Sequence, residues 1–173
     1  MDLKEIEISD LKVNIFDVLD KGWMLLSAGD YRKHNCMTVS WGFMGTFWHK
    51  PVVIAGVRPQ RYTFDFIDDS EEFTLCAFPE EQRDALKFCG TKSGRDCDKV
   101  TETGLTPLRL EKVDVPGYVE ADLIVECRIV YSDCLRGKNF LDKSIVGEIY
   151  EQRDFHKLFY GEVLKISATD KYL

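Results

Sequence analysis

Between residues 119 and 131 the side chains change character with almost every step. Ala121, Leu123, Val125, Cys127, Ile129 and Tyr131 stand on one parity, and Glu120, Asp122, Glu126 and Arg128 on the other. A helix returns to the same face only about every 3.6 residues, so a period of two predicts a long strand, one face buried and one toward solvent. Such a strand needs partners on both edges, and the chain supplies candidates. GWMLLSA (22–28), CMTVSWGF (36–43), PVVIAGV (51–57), EFTLCAF (72–78) and FHKLFYGEVLKIS (155–167) all read as strands. PVVIAGV is continuously apolar, which predicts burial on both faces.

The stretch 36–43 is lopsided. Met37, Val39, Trp41 and Phe43 form a large apolar parity expected in the core, whereas Cys36, Thr38, Ser40 and Gly42 form a small parity, expected as a flat shelf. Helical signals are short by comparison. Pro59 opens QRYTFDFI, a helix expected to start just after it, with Tyr62 and Phe66 one turn apart. EEQRDALKFC follows Pro79 and is expected to end at Gly90, and a third helix around RDCDKVTET is expected to end at Gly104. Many strands with short helices in the connections predict a mainly β fold, a barrel with helical insertions, rather than a doubly wound α/β sheet. No repeat or Pro/Gly/Ser linker divides the 173 residues, so 1–173 reads as a single domain.

Bulk properties exclude some function classes. Thirty acidic against 23 basic side chains give a formal charge of −7, which argues against a nucleic-acid partner, since that affinity comes from neutralising phosphates. No run approaches the roughly 20 apolar residues of a membrane helix, and the polar, acidic start MDLKEIEISD is unlike a signal peptide. A cytoplasmic protein with no membrane partner is the expectation. The six cysteines contain no C-x-x-C pair, so no metal site is predicted and free thiols, mostly small core residues, are expected.

Two stretches carry the chemistry. In VRPQRYTFDF (57–66), Arg58, Arg61, Tyr62 and Thr63 crowd a strand-to-helix junction. Two guanidinium groups and a hydroxyl there suit a phosphate, although the same arginines could pair with Asp65, Asp68 or Asp69. In CGTKSGRDCDK (89–99), glycines, Ser93, Arg95 and Lys99 suit an anion loop, or a solvated turn in which Lys99 pairs with Asp96 or Glu102. Neither G-x-x-x-x-G-K-[ST] nor G-x-G-x-x-G occurs, so a P-loop and a Rossmann dinucleotide unit have no support. A flat shelf beside an arginine-rich anion site is the outline of a place for a planar ring carrying a phosphate.

The order N-x-M-T-V-S-W (Asn35 to Trp41), PVVIAGVRPQRYT (51–63), CGTKSGRDCDK (89–99) and H-x-x-x-x-G-E-V (His156 to Val163) resembles the flavin reductase-like family, flavoredoxin-type members above all. The likeness runs from about residue 20 to 166. It implies an FMN-binding split β-barrel of Greek-key topology, a homodimer with the flavin near the subunit interface, and NAD(P)H as transient electron donor. Thr38, Val39 and Ser40 would lie along the flavin ring with Asn35 nearby. Arg58, Arg61, Tyr62 and Thr63 would serve the ribityl phosphate end, with Ser93 and Lys99 close to the cofactor. His156 is the candidate for a catalytic group, Trp41 is expected in the core, and Cys36 has no assigned role. The implied activity passes electrons from NAD(P)H through FMN to a small-molecule or protein acceptor. The alternative is a non-enzymatic FMN-binding electron carrier or sensor.

Overall fold

A computed structural model describes residues 3–173. Its strands are β1 (Lys4–Ile6), β2 (Met24–Gly29), β3 (His34–Val39), β4 (Gly42–Phe47), β5 (Lys50–Val57), β6 (Glu72–Ala77), β7 (Pro107–Leu108), β8 (Gly117–Tyr118), β9 (Leu123–Cys134) and β10 (Lys157–Ala168). The α-helices are α1 (Tyr62–Asp68), α2 (Arg83–Thr91), α3 (Lys99–Thr103) and α4 (Ser144–Ile149). The main sheet runs β3-β2-β6-β9-β10-β5-β4, with β1 added at the far end of β10, and every pairing is antiparallel.

That order dictates the shape. β3 and β4 lie at opposite ends of the sheet, yet only Ser40 and Trp41 separate them in the chain. Laid flat, seven strands about 4.8 Å apart would put the two edges roughly 29 Å from each other. The extended step from Val39 to Gly42 covers at most about 11 Å. The sheet must therefore curl until its edges almost meet, giving a mainly β barrel that stays open along the β3–β4 seam: a split barrel, as expected.

The same crossing corrects two readings. The predicted single strand 36–43 is two strands, broken at Ser40 and Trp41 where the chain changes edge. Met37 and Val39 are core residues, each 5% exposed, but Trp41 and Phe43 stand 50% and 66% exposed beyond the break. The large parity continues in sequence and not in space.

Two apolar layers fill the molecule. Met24, Leu26, Met37, Val53, Phe73 and Val125 meet inside the barrel. Leu25, Cys36, Cys76, Leu86, Tyr118 and Ile124 form a second layer outside it, under α2 and the β7–β8 hairpin. β9 is thereby covered on both faces at its start, and Asp122 and Glu126, expected toward solvent, are each 1% exposed. Their charges are satisfied locally. Asp122 accepts from Lys171 Nζ at 2.7 Å and Tyr172 Oη at 3.1 Å, and Glu126 accepts from the Lys112 amide at 2.7 Å. β5 departs from expectation in the opposite sense: Val53, Ala55 and Val57 are buried, but Ile54 and Gly56 are half-buried because they line a cavity.

The helices shift by small amounts. α1 begins at Tyr62, after a turn over 59–61. Gly90 lies inside α2 rather than at its end; a Cβ there would stand 3.2 Å from Thr38 Cβ, so the glycine lets α2 press against β3. α3 ends as expected, with Gly104 in the left-handed region at φ 69°, and Asp98 caps its start by accepting from the amides of Val100 and Thr101. Among the described residues, no helix is long and apolar enough to cross a membrane.

Candidate functional site

The seam between β3 and β4 opens into a cleft of about 190 Å³. Residues 37–41 form one wall, and Gly56, Arg58, Arg61 and His156 form the other. β3 pairs with β2 alone, so one of its backbone edges has no strand partner and can bond a ligand. The Thr38 hydroxyl is not part of that offer, because it donates to the Leu86 carbonyl of α2. Val39 packs in the core and Ser40 sits half-buried at the rim. What residues 38–40 present to a flat ring is therefore chiefly backbone, with the Ser40 side chain beside it.

The two arginines differ sharply. Arg58 Nη1 donates to Asp154 Oδ2 at 2.7 Å and its Nη2 to the Ile149 carbonyl at 3.0 Å, while the guanidinium lies 5.3 Å from the Tyr150 ring centre. The acids of α1 are engaged elsewhere, Asp65 with Arg95 and Asp68 with Lys157. Arg61 has no carboxylate partner among the described residues, and its buried Nη2 donates to nothing. Burial first, and the neighbouring Arg58 charge second, push its pKa below the ordinary value. A buried donor without an acceptor costs free energy that a bound anion would recover.

His156 closes the other side. Its Nδ1 lies 2.8 Å from Tyr150 Oη, and the Trp41 ring centre is 5.4 Å from its own. Burial, with Arg58 adding to it, lowers its pKa to about 4, so the imidazole is neutral near pH 7.

Other expected site residues gather in a second cleft of about 640 Å³, where Asn35, Tyr62 and Lys99 stand with Arg32, Gly94 and Arg95. Asn35 Nδ2 donates to Thr63 Oγ1 at 2.7 Å, tying β3 to α1. Arg95 lies 4.7 Å from the Tyr62 ring centre, and its amide donates to Ser93 Oγ at 3.2 Å. Lys99 is 4% exposed, and its Nζ donates to the carbonyls of Cys36 at 2.8 Å and Cys89 at 2.9 Å. Burial pushes its pKa down, and neither Asp96 nor Glu102 pairs with it. The structure thus brings Thr38, Val39, Ser40, Arg58, Arg61 and His156 together at the first cleft. Asn35, Tyr62 and Lys99 line the second, and Thr63 and Ser93 line neither. Cys36 now has a place as well: its thiol meets that of Cys89 at 3.8 Å, under α2. Cys36, Cys76, Cys89 and Cys127 are buried free thiols.

Sequence reasoning missed Tyr150 and the outward Trp41. Nothing in the spacing around Tyr150 signals a site; it comes to His156 only through the fold. A further cavity of about 520 Å³ adjoins the first cleft and shares Ser40, Trp41, Gly56 and His156 with it.

Residues 18–172 match the model of the flavin reductase-like domain. The chain belongs to the flavin reductase-like family. It is 28% identical over 160 residues to an uncharacterized protein of Archaeoglobus fulgidus, covering 92% of this chain and 80% of that one. Among solved structures, an FMN-binding domain of a flavin reductase-like enzyme from Shewanella baltica superposes with a TM-score of 0.70 at 19% identity, covering 96% of this chain and 77% of the other. A flavoredoxin from Methanosarcina acetivorans gives 0.67 at 22% identity, covering 88% and 70%. These structures share the split-barrel fold with this member of the flavin reductase-like family.

Proposed function

We propose that the protein binds FMN at the β3–β4 seam and is an NAD(P)H-dependent oxidoreductase. The observation that carries this reading is Arg61: a buried guanidinium nitrogen without an acceptor, beside a strand edge without a partner. Arg61 holds the phosphate, with Arg58 adding positive field while anchored to Asp154. Backbone groups of 38–40 and the Ser40 side chain address the polar edge of the ring. When bound, the flavin would supply the two-electron chemistry between a reduced nicotinamide and an acceptor, while the residues of the cleft bind and orient it. His156, neutral and fixed by Tyr150, is placed to hydrogen-bond whatever enters beside the ring. The protein forms a homodimer.

The cofactor is tested with two ligands. Arg61→Ala should weaken FMN binding by at least tenfold and riboflavin binding far less, because only FMN carries the phosphate. Equal losses would remove Arg61 from the phosphate site. Anaerobic titration with NADH and NADPH, followed by flavin absorbance, tests the donor. Since Arg58 is already paired, no second free cation lines the cleft among the described residues to take a dinucleotide diphosphate. Nicotinamide binding is therefore expected to be weak. A flavin that stays oxidised at saturating NAD(P)H would make the protein an FMN-binding electron carrier instead.

A further inference from the structure

Of the six cysteines, two face one another. Cys36 on β3 and Cys89 on α2 are 1% and 0% exposed, and their sulfurs lie 3.8 Å apart. The two elements are drawn together around this pair. Gly90 of α2 presses on Thr38 of β3, and the Thr38 hydroxyl donates to the Leu86 carbonyl. Lys99 Nζ spans both backbones, donating to the Cys36 carbonyl at 2.8 Å and to the Cys89 carbonyl at 2.9 Å. A disulfide holds its sulfurs about 2.05 Å apart, so closure needs an approach of roughly 2 Å, which small χ1 rotations supply.

The pair also differs from the other buried thiols in chemistry. Burial pushes the Cys76 and Cys127 thiols up, which leaves them inert. Cys36 moves the other way. The contact with Cys89 lowers it first, the Lys99 ammonium adds to that, and together they outweigh burial. Cys89 is pushed up, by the same contact and then by its burial. One thiol gives up its proton and its neighbour keeps one, the division of labour between an attacking and a resolving cysteine. Access is divided in the same way. Cys36 and Lys99 both line the 640 Å³ cleft, whereas Cys89 is not among its walls. A small oxidant entering there meets Cys36 first.

We infer that Cys36 and Cys89 are a reversible oxidation site, at which hydrogen peroxide converts the two thiols to a disulfide that staples α2 to β3. The Cys36 thiolate attacks one peroxide oxygen and the O–O bond breaks. The departing hydroxide takes up the proton that the Cys36 thiol released, leaving a sulfenic acid and water. The Cys89 sulfur then attacks the Cys36 sulfur. The S–S bond forms, the S–O bond breaks, and the Cys89 proton leaves with the hydroxide as a second water. Two thiols lose two electrons and one peroxide becomes two waters; a dithiol reductant reverses the bond. The staple fixes α2 to the strand whose next residues, 38–40, edge the first cleft. None of this depends on the flavin reading.

Titration of the reduced, folded protein with hydrogen peroxide tests the inference. The remaining thiols are alkylated in denaturant, and the chain is mapped by mass spectrometry without reductant. Two of the six thiols should be lost, as a single link within one chain between the Cys36 and Cys89 peptides, and dithiothreitol should restore both. Cys76 and Cys127 should stay alkylatable, oxidising at least about tenfold more slowly. Cys89→Ser should stall Cys36 as a sulfenic acid that dimedone traps, and Cys36→Ser should leave Cys89 reduced. Cys36 and Cys89 remaining thiols after enough peroxide to oxidise the exposed Cys134 would overturn the inference. So would a link that joins Cys97 or Cys134 instead, or a Cys36–Cys89 link that forms only once the chain is unfolded. Oxidation of Cys89 at the parent rate in Cys36→Ser would overturn it as well. The map of the parent protein decides the matter even where a variant fails to fold. Failure to bind FMN sinks the flavin reading alone and leaves this result standing.

Discussion

Arg58 and Arg61 are the same residue type, three positions apart, and their neighbours make them different instruments. Arg58 is fixed by Asp154 and the Ile149 carbonyl, whereas Arg61 keeps a buried nitrogen with no acceptor. The sequence showed both arginines and the junction they sit on. It could not distribute acids between them, because Asp154 comes from a loop 96 residues away. His156 was similarly legible as a residue and not as an environment. Its pKa of about 4 lies below the ordinary histidine value of 6.5, so between these pH values the unfolded chain binds a proton that the folded chain refuses. Stability therefore falls as pH drops through that window and is free of this penalty above it. The full gap corresponds to about 3 kcal/mol at most, less because the imidazole is only half-buried. His156→Gln should flatten the decline in unfolding free energy between pH 7 and pH 4, leaving the share due to His34, whose pKa burial also lowers. An unaltered slope in urea denaturation across that range would show that His156 titrates normally.

At the scale of elements, period-two patterns carried most of the fold. β6, β9 and β10 lie within a few residues of their predicted limits, because alternation or apolar runs mark strands directly. The β3–β4 break was invisible for a physical reason: Ser40 and Trp41 include no glycine, proline or asparagine, and the apolar parity runs straight through them. The cover over the outer face of β9 was equally hidden, since alternation reports two faces and not what packs on each. Gly161 in β10 shows how closely these layers approach. A Cβ there would stand 2.5 Å from the Phe73 ring and 2.8 Å from Cys127 Cβ, at a register shift against β9. Phe73 is fully buried and cannot swing aside. Gly161→Ala should therefore destabilise the fold by about 1–3 kcal/mol through overpacking, read as a lower denaturant midpoint. An unchanged midpoint would mean that β10 and β6 are not packed in this way.

Rolling the sheet brings its ends together, but β3 and β4 remain unpaired with one another, and β4 keeps an open edge. The sheet face beside that edge is unusually aromatic. Phe47 and Trp48 are 51% and 50% exposed, their ring centres 4.4 Å apart, and Trp48 continues to Tyr131 at 6.3 Å and Tyr160 at 6.0 Å. Phe43, on the same strand, extends the patch to the mouth of the apolar cavity. An exposed apolar sheet face bordering an open strand edge is costly in water and prone to associate, which supports the proposed homodimer with this face at its centre. Trp48 offers a clean test because it sits with His49 in the two-residue turn between β4 and β5, at φ 53° and 57°. Aspartate tolerates that left-handed backbone better than tryptophan does, so Trp48→Asp preserves the turn while removing the ring and adding a charge to a chain already at −7. Light scattering behind size exclusion should find the parent protein at twice the chain mass, 40 kDa being about double its 20.0 kDa, and the variant at or near the single-chain mass. A variant that remains dimeric at micromolar concentration would move the interface off this face. A parent protein that is monomeric at the same concentration would remove the dimer altogether, and would leave the aromatic patch to be explained by some other contact.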